Sequence, residues 1–89
     1  MEISFSSNVV KKLKEIKAER PKTFKRIQKQ LMLFAENPIH NSLRTHKLKG
    51  RLKNSWSISI EGNLRMLYRF DADGVVFFEI GNHDEVYKG

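Results

Sequence analysis

Apolar and polar residues alternate with a period of two along much of the C-terminal half of the chain. Trp56, Ile58 and Ile60 alternate with Ser57, Ser59 and Glu61, and Leu64, Met66, Tyr68 and Phe70 alternate with Arg65, Leu67 and Arg69. That period marks half-buried strands. The stretch from Trp56 onward therefore predicts three antiparallel strands joined by two tight turns, then a short polar tail. A three-residue first loop, Glu61-Gly62-Asn63, pairs Ile60 with Leu64, Ile58 with Met66 and Trp56 with Tyr68. All six then share one apolar face. A two-residue loop would pair Ile60 with Arg65 and mix the faces. A one-residue slip turns every side chain over, so burial selects the first register. Asn63 is expected in the left-handed conformation that ends such loops. The second loop reads likewise as Ala72-Asp73-Gly74, with Gly74 left-handed. Phe70 then faces Val76, Tyr68 faces Phe78 and Met66 faces Ile80. The opposite face carries Ser57, Ser59, Arg65, Arg69 and Glu79, with Leu67 and Phe77 between them. One side of the sheet is thus core, and the other presents two arginines on a rigid platform.

The N-terminal half changes period. Glu2 to Ser6 alternates, with Ile3 and Phe5 on one side, and predicts a short strand joining the sheet. Ser6 or Ser7 suits the N-cap of the helix that follows, because a hydroxyl there accepts an orphan backbone N–H. Val9, Val10, Leu13 and Ile16 form a helical stripe among Lys11, Lys12, Lys14 and Lys17. Pro21 fits the first turn of a second helix, where its missing N–H costs nothing. Phe24, Ile27, Leu31 and Phe34 form its stripe, and Asn37-Pro38 ends it. Two helices joined so closely predict a hairpin packed on the apolar sheet face. The fold class is α+β: an N-terminal strand and a helical hairpin on one face of a small twisted antiparallel sheet. The 89 residues form a single domain, 1–89.

Composition and charge add partners to this picture. There is no cysteine, hence no disulfide and no thiolate metal site. No apolar run approaches the roughly 18 residues of a membrane span. The start, EISF, reads as a strand rather than a signal peptide, which leads us to expect a cytoplasmic protein. The net charge is +7 and unevenly placed: residues 11–53 hold fourteen Lys/Arg against three Glu, a net of +11, and the remainder nets −4. Such asymmetry points to a polyanion or an acidic protein partner; solvated helix faces are the alternative. Residues 39–54 hold five Lys/Arg, two His and no acid. Thr45 to Lys49 reads as a short edge strand whose cations blunt the edge, or as a phosphate-contacting strip beside the arginine face. Gly81 is expected to release the chain from the sheet. Beyond it, His83 supplies a group titrating near neutrality and Tyr87 a phenol, both near the arginine-bearing face.

The helical pair ending in AENP, the HKLKG of His46 to Gly50, the WSISIEGNLRMLY of Trp56 to Tyr68 and the terminal IGNHDEVY, in that order, span nearly the whole chain. Together they resemble the RelE/ParE superfamily of toxins from bacterial type II toxin–antitoxin pairs, and within it the RelE and YafQ type, often called addiction-module or plasmid-stabilisation toxins. The resemblance implies the fold just derived. It also implies a ribosome-dependent endoribonuclease that cleaves messenger RNA by metal-free attack of the 2′-hydroxyl on the adjacent phosphate, with no small-molecule cofactor. Such chemistry needs a base, an acid and cations for the phosphorane charge. By position, Arg65 matches the arginine that steadies the phosphate, His83 a general acid or base, and Tyr87 a terminal aromatic that stacks a base or aids proton transfer. His46 matches the histidine before the Leu-Lys-Gly stretch. Lys47 and Lys49 lie where the family has basic residues, and Arg51 and Arg69 extend the RNA-binding set. Asn63 stands where YafQ-like members have an aspartate, and Ser59 falls near a second histidine of that group, so His46 or a lysine is left to serve as base. The implied partners are a cognate acidic antitoxin, messenger RNA and the ribosome. A ParE-like topoisomerase poison, a toxin without activity and a plain RNA-binding module remain the other readings; the His/Tyr tail favours the nuclease.

Overall fold

The computed structural model describes residues 2–86. In chain order the elements are β1 (Glu2–Phe5), α1 (Ser7–Glu19), α2 (Pro21–Glu36), β2 (His46–Lys47), β3 (Ser55–Glu61), β4 (Leu64–Phe70), β5 (Gly74–Asn82) and α3 (His83–Val86), with 3-10 turns at Asn41–Leu43 and Gly50–Leu52. The five strands form one sheet in the order β1-β5-β4-β3-β2. Every pairing is antiparallel except β1 with β5, which is parallel.

The helices start and stop as their sequences direct. Ser6 is the N-cap of α1, and its Oγ accepts the Val9 N–H at 3.2 Å. Pro21 opens α2, and the Asn37 N–H donates to Leu33 O as the helix ends. Their stripes cover one sheet face. Val9, Ile16, Ile27 and Phe34 are buried with Ile58, Ile60, Leu64, Met66, Tyr68, Val75, Phe77 and Ile80. Phe34 is the hinge of this core, meeting Tyr68 at 4.9 Å and Phe77 at 5.2 Å edge-on, a favoured aromatic geometry. Two buried polar residues on α2 were hidden by the apolar stripe. Gln30 Nε2 donates to Ser42 O and Ser59 O, and Thr23 Oγ1 donates to Glu61 Oε2. These bonds tie α2 to β3.

Both hairpins depart from the expected registers, each through a bulge. Trp56 faces Tyr68 and Ile58 faces Met66, but Glu61, not Ile60, faces Leu64. The connection is Gly62-Asn63, and Gly62 takes the positive φ (+49°) while Asn63 does not. The shift frees the Ile60 carbonyl, which accepts from Arg26 Nε at 3.0 Å. In the second hairpin Phe70 faces Val75 and Tyr68 faces Phe77, and a bulge then restores Met66 opposite Ile80. Phe77 therefore belongs to the helix-side core and Phe78 to the other face, the reverse of the expectation. Asp71 closes this turn: its Oδ1 accepts from the Asp73 and Gly74 N–H groups. Gly74 is not left-handed. It is needed because the Glu2 main chain passes where a side chain would sit, so a Cβ there would lie 2.1 Å from Glu2 O. Gly81 does not release the chain, since it pairs with Arg65 and β5 runs on to Asn82. Glu79 joins α1 instead of the arginine face, bonding Lys12 Nζ at 2.7 Å and Asn8 Nδ2 at 3.1 Å. Trp56 is only half-buried at the sheet margin, stacked on Tyr68 and touched edge-on by the exposed Phe70.

Candidate active site

The face of the sheet away from the helices is built around Ser57. This serine sits in β3, fully buried, with His46 of β2 opposite it on one side and Leu67 of β4 on the other. Directly opposed residues share a face, so His46 projects from this face. Arg65 lies on β4 opposite Ser59, diagonal to Ser57. Its guanidinium reaches across: Nε donates to Ser57 Oγ at 3.1 Å, and Nη2 donates to Ser57 Oγ at 2.9 Å and to Arg44 O at 3.0 Å. Arg44 follows the Asn41–Leu43 turn in the left-handed region, φ 47° and ψ 51°. That turn is anchored by the fully buried Leu43 and by His40, whose Nδ1 accepts from the Ser42 N–H.

Arg65 is half-buried, yet the groups that hold it are a hydroxyl and a carbonyl. The Lys12–Glu79 ion pair lies elsewhere, on α1 and β5. An arginine keeps its charge at any physiological pH. The result is a cation whose orientation is set by neutral acceptors and which meets no carboxylate among the described residues. Such a group can stabilise a phosphate or the extra charge of a phosphorane without rearranging first.

The other predicted residues distribute unevenly around this centre. His46 is exposed. Lys47 points to the opposite face, its Nζ 5.6 Å from the centre of the Trp56 ring, so the edge strand splits the pair. Lys49 and Arg51 are exposed on the loop after β2. Arg69 lies over the Phe78 ring at 5.0 Å, a cation–π contact that only the bulge in β5 makes available. His83 opens α3; its side chain is exposed and its main-chain N–H donates to Asn63 O at 2.8 Å. Gly81, two residues earlier, pairs with Arg65. Across the sheet the order is thus His83 beyond β5, Arg65 on β4, Ser57 on β3 and His46 on β2. Tyr87 lies outside the described residues.

Three participants were missed by pattern reading. Ser57 looked like an ordinary polar position in an alternating strand, although serines at both 57 and 59 flank Arg65 and hint that its side chain needs room there. Arg44 contributes a carbonyl, which no side-chain pattern reports. Val86 looked like part of a polar tail. It is buried with Leu48 and Leu67, and Leu52 and Phe78 pack against them. This second small core folds α3 and the loop after β2 onto the arginine face, which is therefore partly roofed and not an open platform.

A family model described as bacterial toxin of type II toxin–antitoxin system, YafQ, matches residues 1–88. Among solved structures, YafQ from E. coli strain BL21(DE3) is 18% identical, covers 97% of each chain and has a TM-score of 0.78. The YoeB-YefM complex from Staphylococcus aureus is 23% identical over 93% of this chain and 97% of that one, with a TM-score of 0.78. The YoeB/ParE toxin from Agrobacterium tumefaciens is 16% identical over 93% and 99%, with a TM-score of 0.81. At such identities these likenesses establish the fold. No curated protein matches the chain. No helix of the described residues is long and apolar enough to cross a membrane. The strand, helical hairpin and five-stranded sheet, read with a family match over almost its full length, make this chain a member of the YafQ family of bacterial type II toxin–antitoxin toxins.

Proposed function

We propose that this toxin is an endoribonuclease that cleaves messenger RNA on the ribosome, and that a cognate acidic antitoxin restrains it. The observation that carries the nuclease reading is Arg65: a half-buried cation on a rigid strand, oriented by Ser57 and Arg44 and left without a carboxylate among the described residues. In the proposed reaction the 2′-hydroxyl attacks the adjacent phosphorus and the bond to the 5′-oxygen breaks. A base takes the 2′ proton and an acid protonates the leaving oxygen, giving a 2′,3′-cyclic phosphate and a 5′-hydroxyl. Arg65 carries the negative charge that builds on the phosphoryl oxygens.

In-line attack sets the entering and leaving oxygens on opposite sides of phosphorus. His46 lies two strands from Arg65 on β2, and His83 lies past the end of the neighbouring β5, its N–H on Asn63 O, so the two reach toward Arg65 from different sides. Strands β2 and β5 are three spacings apart, roughly 14 Å between backbones, and His83 is further offset along the strands, so a phosphodiester on Arg65 fits between the two histidines. We therefore assign them as the base and acid pair, since Asn63 cannot take a proton. Lys49, Arg51 and Arg69 hold the RNA backbone on this face. Lys47 binds it around the sheet edge, and Tyr87 stacks a base or supports proton transfer. For the antitoxin, the net +11 of residues 11–53 favours an acidic partner. The solved relatives include YoeB with YefM and YafQ with DinJ in complexes. The groove of Val10, Leu13 and Phe24, rimmed by Lys14 and Lys17, suits an acidic amphipathic helix.

The test is induction of the toxin followed by primer extension on cellular transcripts and end-group analysis of the cut RNA. Discrete cuts within translated frames, ending in cyclic phosphate, are expected. Growth arrest with intact transcripts would instead indicate a toxin that acts without cleavage.

A further inference from the structure

We propose that Ser57 is a positioning residue for Arg65: its buried hydroxyl, with the Arg44 carbonyl, clamps one edge of the guanidinium so that the Nη1 amino group is what remains to meet a phosphate. The consequence for catalysis rests on the nuclease reading above; the clamp itself does not. The geometry is specific. Ser57 Oγ accepts from both Nε (3.1 Å) and Nη2 (2.9 Å), which are the two nitrogens along one edge of the guanidinium plane. The second Nη2 hydrogen is taken by Arg44 O at 3.0 Å. Three of the five donors of the group are thereby committed. The two on Nη1 make no hydrogen bond to the described residues.

Each part of the clamp has a physical reason to be rigid. Ser57 has no exposed surface and lies mid-strand with neighbours on both sides, so its hydroxyl has little freedom. Arg44 holds a left-handed φ of 47°, a conformation that a residue with a Cβ adopts only when its surroundings enforce it. Here the buried Leu43 before it and the pairing of β2 after it fix the chain on both sides. Both acceptors are uncharged, so Arg65 is steered without being neutralised. A carboxylate in place of Ser57 would hold the same edge but cancel the charge that the reaction needs. A small alcohol is therefore the residue type that orients this arginine at the least cost to its electrostatic effect.

The test combines Ser57→Ala with a direct observation of the Arg65 side chain. In the 15N-labelled toxin the Arg65 Nε–H resonance, assigned by its loss in Arg65→Lys, should exchange slowly with solvent. In Ser57→Ala that exchange should quicken by at least about tenfold, and kcat for RNA cleavage should fall roughly 10- to 100-fold with a much smaller change in KM, because misplacing a group that acts in the transition state lowers kcat. Ser57→Thr keeps the hydroxyl and should restore both. If its extra methyl group unfolds the chain, the exchange rate and kcat of Ser57→Ala decide alone. Unchanged Nε–H exchange in Ser57→Ala overturns the clamp, and faster exchange with an unaltered kcat overturns its role in positioning Arg65 for catalysis. A lowered melting temperature without the exchange effect marks Ser57 as merely structural and overturns it too. A wild-type chain that cleaves no RNA sinks the nuclease reading, and the clamp then stands or falls on the exchange rate.

Discussion

Replacing Gly74 by alanine should cost more than replacing either glycine that sits at a positive φ, although Gly74 itself is in ordinary extended backbone. A Cβ at Gly74 lies 2.1 Å from Glu2 O, 2.7 Å from Glu2 N and 2.9 Å from Glu2 C, all main-chain atoms that cannot rotate away. Carbon–oxygen contacts settle near ~3.4 Å, so β1 and β5 must part by about 1.3 Å at this end. That breaks the bonds nearest the clash, among them Glu2 N–H to Asp73 O, and begins to uncover Ile3 and Phe5, which pack on the core from β1. Two ladder bonds at about 1 kcal/mol each and part of two apolar side chains at about 1 kcal/mol together give a loss of about 3 kcal/mol. For a chain of this size that lowers the melting temperature by roughly 12–24 °C. Gly62→Ala is the control. Nothing lies within 4 Å of its Cβ, and its φ of +49° adds only the left-handed penalty, about 1–2 kcal/mol. Thermal melts followed by circular dichroism on the three proteins give the answer. A Gly74→Ala melting point within about 5 °C of wild type, or above that of Gly62→Ala, would refute the close-approach argument.

Arg65→Ala should reduce RNA cleavage by about 10²–10³-fold, the usual loss for a preorganised charge-stabilising donor. It should change stability by no more than about 1 kcal/mol, because the bonds lost are offset by relief from holding a partly desolvated charge; cleavage on programmed ribosomes beside a melt of the same sample separates the two effects. Gln30→Leu should destabilise the fold by about 1 kcal/mol, since the two bonds that Gln30 Nε2 makes to Ser42 O and Ser59 O are lost while the buried, unpartnered Gln30 Oε1 is removed with them, as urea unfolding would show. Burial raises the Glu79 carboxyl, but the Lys12 hydrogen bond and charge, the Ile80 N–H and Asn8 together outweigh it and leave the group below its ordinary 4.5. A carboxyl depressed in the folded state adds stability that is present above pH 4.5 and lost as the pH falls through the folded value. For this partly exposed pair the gain is at most about 1 kcal/mol. Urea midpoints of wild type and Glu79→Gln should therefore converge on acidification, and a constant gap between them down to low pH would contradict the assignment.

Much of the architecture was written in local patterns. The period-two runs from Trp56 to Phe70, the helical stripes of Val9 to Ile16 and Phe24 to Phe34, the Ser6 cap and Pro21 each encode an element through contacts within a few residues. Those are the interactions that a linear sequence displays. Arg65 was legible as well, because any register that buries Trp56, Ile58, Met66 and Tyr68 together turns it to the other face. The charge of residues 11–53 likewise needs no fold to be read.

What the sequence did not determine depends on partners distant along the chain. Alternation reports the face of a residue only while the ladder is regular, and each hairpin contains a bulge that resets it. Arg26 takes the carbonyl freed at Ile60, and β1, laid beside β5, sets Phe77 next to Phe5 and sends Phe78 under Arg69. Gly74 was misread as a turn glycine because the strand that crowds it arrives from the opposite end of the chain. Val86 found a core only because the loop after β2 brings Leu48 and Leu52 above Leu67 and Phe78. The same holds for the clamp on Arg65. Its acceptors are a buried hydroxyl on another strand and a main-chain carbonyl from a turn twenty-one residues away. A carbonyl is common to every residue type, so only the tertiary fold decides which one an arginine meets.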